Sequence, residues 1–209
     1  ERLDRLIAGG MPGLIVVMPD GLTALGGAQY LDSSANGPYA SWLVREIMPF
    51  VDAELATTGR WGVTGKSSGG YAALTLPTLF PGVFTAAAAH SPDAGFDVVY
   101  APDFPGAVES LRSAGGLEAW LEDFRGRLDL RGPDHAVLTL LAMSCAYSPR
   151  PEARPVPAEL PVDLNTGAVR PEVFERWTQW DPVNRARTHA SALRKLEGLW
   201  LDVGTRDEF

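Results

Sequence analysis

The sequence predicts an α/β fold, a mostly parallel sheet flanked by helices and carrying a helical insertion. Three observations support this. Short apolar runs bounded by glycine and proline alternate with helix-period segments over residues 1–93, the same alternation returns after residue 180, and the intervening stretch reads as helices without strands. A chain of 209 residues buries roughly 70% of the surface its unfolded form exposes, enough for one self-sufficient core.

Leu3, Leu6 and Ile7 have helical spacing and Gly9-Gly10 supplies a stop, so residues 2–9 read as the end of an amphipathic helix. Leu14 to Met18 is a continuous apolar run closed by Pro19-Asp20-Gly21, the pattern of a strand buried on both faces of a parallel sheet. Residues 21–37 form a polar, glycine-rich loop. A helix from about Tyr39 to Leu55 places Trp42, Leu43, Ile47, Val51 and Leu55 on one stripe, with Pro49 expected to kink it. Arg60 to Thr64 reads as a strand, Tyr71 to Leu79 as a helix, and Val83 to His90 as a strand. The α/β rhythm then breaks. Helices are expected at about 104–113, 116–127 and 133–146, followed by a connector from Ser148 to Pro161 whose five prolines favour an extended, semi-rigid form. Asp181 and Pro182 mark the start of a further helix as N-cap and first-turn residue, and Leu199 to Val203 is the last strand. The core therefore comprises residues 1–93 and 181–209, and residues 94–180 are expected to form a helical and proline-rich lid inserted over the sheet.

Composition narrows the function. The formal charge of −8, with no stripe of Lys and Arg, argues against a nucleic-acid partner. No apolar run approaches the ~18 residues of a membrane-spanning helix, and no signal-peptide pattern opens the chain, so a cytoplasmic location is the expectation. The chain begins at Glu1, without Met and inside a helix, and its true start is expected upstream. The single cysteine, Cys145, lies in an apolar stretch and reads as a buried structural thiol.

Gly65-Lys66-Ser67-Ser68-Gly69 fits G-x-S-x-G, with a strand before it and a helix after it. A strand-to-helix turn of this kind is sharp enough to demand small neighbours, which Gly65, Gly69 and Gly70 provide. It presents the serine hydroxyl at the carboxyl edge of the sheet, where unpaired N–H groups of the new helix face a developing oxyanion. Ser67 is thus the candidate nucleophile and the Ser68 amide the oxyanion donor. The same residues resemble the end of a phosphate-binding loop, but that motif requires a glycine where Arg60 stands.

Met18-Pro19-Asp20-Gly21, the helix from Tyr39, Gly65 to Tyr71, and Leu201 to Glu208 together resemble the Putative esterase family, which includes esterase D, feruloyl and enterochelin esterases and mycolyltransferases. The resemblance covers roughly 1–93 and 177–209. It implies an α/β-hydrolase fold and a Ser, Asp or Glu, His triad in that chain order, with Ser67 as nucleophile and Asp207 as acid. Asp202 lies within a strand, and Glu208 is the nearest rival for the acid. The reaction implied is hydrolysis of a small-molecule carboxylic ester through an acyl-serine, with no metal or organic cofactor. An acyltransferase would share every motif, and a non-catalytic binding protein would share the fold.

The chain departs from the family pattern at the histidine. His90, His135 and His189 all precede Asp207; each reads as structural, and the family histidine is expected beyond residue 209. The early strand whose following loop supplies a second oxyanion donor in the family is also missing from the pattern. Asp52 with Glu54, and Asp93 with Asp97, read as solvated acids. Among the aromatic residues of the insertion, Trp120, Phe124, Trp177 and Trp180 fit either an acyl or aryl pocket over Ser67 or the lid's own core, and Trp177 and Trp180 are the candidates for the pocket.

Overall fold

The computed structural model describes residues 1–207. Helix α1 (Arg2–Ala8) ends at Gly9 as expected. The apolar run 14–18 forms no strand: Leu14, Ile15, Val16 and Met18 are solvent-exposed and no described strand pairs with them. Apolar content makes a run suitable for a buried strand, but a strand exists only where a neighbour accepts its backbone hydrogen bonds.

The glycine-rich loop folds into two minimal hairpins, β1 (Leu22–Thr23) with β2 (Gly26–Gly27) and β3 (Asp32–Ser33) with β4 (Gly37–Pro38). Between them Ala28, Gln29 and Leu31 are buried, and Gln29 and Tyr30 adopt left-handed backbone conformations. The next helix is continuous but irregular. α2 (Tyr39–Trp42) passes through a π-helical turn, Leu43–Ile47, into α3 (Met48–Glu54). Pro49 supplies the reason, because it has no N–H to give to the helical ladder and its ring crowds the preceding turn.

Three parallel strands in the order β5 (Trp61–Ser67), β6 (Phe84–Pro92), β7 (Gly198–Asp202) form the sheet. Helix α4 (Ser68–Leu79) starts where β5 stops and packs back onto β5 and β6. Ala87 and Ala89 are buried on β6, whereas Ala86 and His90 are exposed. Ala40, Ala72, Leu76 and Phe84, with Trp61 and Val63 beside them, make the core between sheet and helices.

Residues 94–180 contain α5 (Phe96–Val99), a 3-10 turn (Ala101–Asp103), α6 (Phe104–Ser113), α7 (Leu117–Gly126), α8 (Asp134–Tyr147) and α9 (Pro171–Thr178). The three longer helices expected there are present almost residue for residue; α5 and α9 were not anticipated. The proline-rich stretch is not extended: it turns back on itself so that Pro149 bridges Ala158 and the Ala158 region returns to α8 through Ser148, whose Oγ donates to the Glu159 carbonyl at 2.6 Å. The larger core lies here. Phe96, Tyr100, Phe104, Leu111, Tyr147 and Trp177 pack with Tyr71 of α4 and Leu31. Finally α10 (Pro182–Thr188) and α11 (Ala190–Leu193) lead to β7.

Candidate active site

β5 and α4 meet with no residue to spare. Ser67 ends the strand and caps the helix with φ 54° and ψ −122°, a combination that ordinary residues adopt only when their surroundings force it. The close approach shows in the glycines. A Cβ on Gly65 would stand 2.4 Å from the carbonyl carbon of Gly69, and one on Gly70 would stand 3.0 Å from the His90 carbonyl oxygen. A Cβ on Gly69 would meet nothing within 4 Å. Two of the three glycines expected to be obligatory are therefore required by contact, and Gly69 is not. Ser68 is the first residue of α4, where backbone N–H groups lack intrahelical acceptors.

Parallel register brings a second group to this turn. Ser67 lies opposite Pro92 across a local irregularity, so the next residue, Asp93, stands beside the Ser67 side chain. Ser67 Oγ donates to Asp93 Oδ1 at 3.2 Å. The other oxygen, Oδ2, accepts from Tyr100 Oη at 2.9 Å, Gln29 Nε2 at 3.1 Å and Ser68 Oγ at 3.3 Å. Gln29 Nε2 also reaches Tyr100 Oη at 3.0 Å. Burial, followed by the neighbouring Asp93 charge, holds the Tyr100 phenol well above its ordinary range, so it stays a donor. Asp93, expected to be a solvated acid, is instead the hub of a partly buried network. Its place just beyond the end of a parallel strand was the one signal in the sequence that pointed there.

A cavity of about 240 Å³ opens over this turn. Ser67, Ser68 and Asp93 line it, Asp207 and Val203 enter from the segment after β7, and Tyr100, His135, Thr139 and Met143 come from the α5–α8 region. Asp207 and Ser67, 140 positions apart in sequence, thus line one cavity. Glu208 lies outside the described residues. Asp202 is turned elsewhere: its carboxylate pairs with His90 Nδ1 on the exposed part of the sheet, and that hydrogen bond lowers its pKa. His189 caps α11 and its Nδ1 lies 2.8 Å from Thr188 Oγ1. His135, in the first turn of α8, lines the cavity.

The tryptophans do not line this cavity. Trp177 is completely buried, with Nε1 donating to Ser148 Oγ at 2.8 Å and its ring edge-on to Tyr100 and Phe104. Val173 and Trp177, one turn apart on α9, form the face that packs inward. Trp180 lies under the Arg185 guanidinium, 5.2 Å from ring centre to Cζ, and its carbonyl accepts from Tyr71 Oη at 3.2 Å. Trp177 thus backs the cavity residue Tyr100, and each ring sits where its apolar body is packed and a polar atom of the residue finds a partner.

Comparison with known families decides the broader assignment: the model of the family described as Putative esterase matches residues 3–209. The chain belongs to the Putative esterase family. A search of the curated proteins finds no match. Membership gives this esterase-family protein an α/β-hydrolase-like fold, consistent with its three-stranded parallel sheet and flanking helices, and a general hydrolase role toward small molecules. No described helix is long and apolar enough to cross a membrane.

Proposed function

We propose that this esterase-family protein cleaves a carboxylic ester through an acyl-serine intermediate at Ser67. The observation that carries the reading is the forced left-handed backbone of Ser67 at the β5–α4 turn, which places it among the residues lining the cavity. In the proposed reaction Ser67 Oγ attacks the carbonyl carbon as its proton passes to a base. The Ser68 amide donates to the oxyanion, in a position where one such donor is worth on the order of 3 kcal/mol. Collapse of the tetrahedral intermediate breaks the bond to the alcohol, which leaves protonated, and water then attacks the acyl-serine and restores Ser67. Asp207 is the proposed acid of the triad, supported by its place on the loop after β7 and on the same cavity wall. The segment 94–180 is the proposed insertion, covering the site with Tyr100, His135 and Met143 in place of the tryptophans. At about 240 Å³ the cavity suits a compact ester, since pockets for drug-sized ligands run from roughly 300 Å³ upward.

Mass labelling with a fluorophosphonate tests this directly. A single adduct is expected on Ser67 and is lost in Ser67→Ala, together with hydrolysis of para-nitrophenyl esters; a folded protein that takes no adduct overturns the proposal. The same labelling applied to His135→Asn identifies the base: a slowed adduct assigns the proton to His135, and an unchanged rate assigns it to another group.

A further inference from the structure

The hydrogen bonds to Asp93 divide unequally between its two oxygens. Oδ2 is saturated by Tyr100, Gln29 and Ser68, whereas Oδ1 accepts from Ser67 alone among the described residues, and Asp93 and Ser67 both line the cavity. A nucleophilic serine must give up the very hydrogen that satisfies Oδ1. As the Ser67 proton moves to the base and the bond from Oγ to the carbonyl carbon forms, Oδ1 loses its donor and faces a developing oxyanion a few ångströms away. This bond is exposed, so water can take the vacated place, and the like charge of the carboxylate repels the developing oxyanion. A donor carried by the substrate fills that place without an ordered water and offsets the repulsion.

We propose that the Asp93 carboxylate is a specificity-determining group that receives a hydrogen-bond donor of the ester, a hydroxyl or an ammonium carried within two carbons of the scissile carbonyl. Geometry sets that position. Ser67 Oγ is 3.2 Å from Oδ1, an attacked carbonyl carbon lies about 3–3.5 Å from Oγ, and a donor bonds Oδ1 at about 2.8 Å, so a donor on the α or β carbon spans the gap. No covalent bond to Asp93 forms or breaks; one donor replaces another. This inference rests on the reading of Ser67 as the nucleophile.

The test compares para-nitrophenyl esters of butyric, β-hydroxybutyric and β-aminobutyric acids, assayed by kcat/KM on the wild type and on Asp93→Asn. The wild type is expected to favour at least one donor-bearing ester over butyrate by about tenfold or more, the lower end for a hydrogen bond to a charged group. Asp93→Asn is expected to reduce that preference to about twofold. The amide oxygen still accepts from a hydroxyl but carries no charge, so a preference lost mainly for the amino ester identifies an ammonium, and an equal preference for both identifies a simple donor. Absence of preference in the wild type overturns the inference, as does an equal fall on all three esters in the variant. Should Asp93→Asn fail to fold, by circular dichroism, the wild-type preferences alone decide. A Ser67 fluorophosphonate adduct accompanied by no preference overturns this inference and leaves the nucleophile standing; absence of the adduct overturns both.

Discussion

At the scale of single residues, the turn at Ser67 is governed by how closely two backbones approach. Gly65 and Gly69 look equivalent in the motif but are not equivalent in space, because only the Cβ position of Gly65 is filled by neighbouring backbone. Gly65→Ala is expected to destabilise the protein by about 3 kcal/mol or more and to abolish the Ser67 adduct. Gly69→Ala, in the first turn of α4 with open space around it, is expected to be neutral or to stabilise by up to about 1 kcal/mol. Urea unfolding of the two variants measures both effects. Cys145 follows its expectation: burial pushes the thiol up to about 11, so it is neutral and sheltered. Ser67 and the glycines were legible because their chemistry is local. Asp93 and His135 were not, since the cavity they share is assembled from distant segments and only the strand end before Asp93 pointed to it.

At the scale of elements, two carboxylates hold helix starts in place. Asp181 caps α10 through the Val183 N–H at 2.9 Å, and it also receives the N–H groups of Gly95 at 3.0 Å and Phe96 at 2.8 Å. The residue expected only as an N-cap thus ties together the two ends of the 94–180 segment. Asp181→Ala is expected to cost about 2–3 kcal/mol, more than a simple cap, because two further donors, one buried and one partly buried, lose their acceptor; thermal unfolding reads the loss. Asp134, at the start of α8, is gripped by both terminal nitrogens of Arg127 at 2.6 Å and by the Arg131 N–H at 2.6 Å. The Arg127 hydrogen bonds lower its pKa below the ordinary carboxyl value. A depressed carboxylate contributes stability above the unfolded value of about 3.9 and loses it as pH falls through the folded one. Wild-type Tm is therefore expected to fall below about pH 4, and Asp134→Asn to lower Tm at neutral pH while flattening that acid limb. These helices were legible from capping residues and period, whereas the π-turn before Pro49 and the reversal of the proline-rich stretch depended on which backbone groups found partners.

At the scale of the whole molecule, the segment 94–180 is joined to the sheet layer by a common core. Its core continues into the sheet layer through Tyr71 of α4, whose ring lies 6.1 Å from Phe96 and 5.8 Å from Tyr147, and through Leu31. A shared core couples the unfolding of the two parts. Far-ultraviolet circular dichroism, which follows the helices, and tryptophan fluorescence are expected to report one coincident thermal transition; separated transitions would show that the segment folds independently.

The sequence by itself determined the α/β alternation, the turn at Ser67, the cap at Asp181 and the resemblance that membership of the family confirmed, because each depends on residues near one another in the chain or on a pattern repeated along it. Tertiary structure alone decided which of several acids and histidines meet at the cavity, and that Trp177 and Trp180 lie away from it. Asp93 arrived there by strand register, His135 by the docking of α8, and Trp177 was drawn into the core because burying its ring around one satisfied N–H is more favourable than exposing it. An apolar run such as 14–18 shows the same division: composition can make a segment fit to be a strand, but only a partner makes it one.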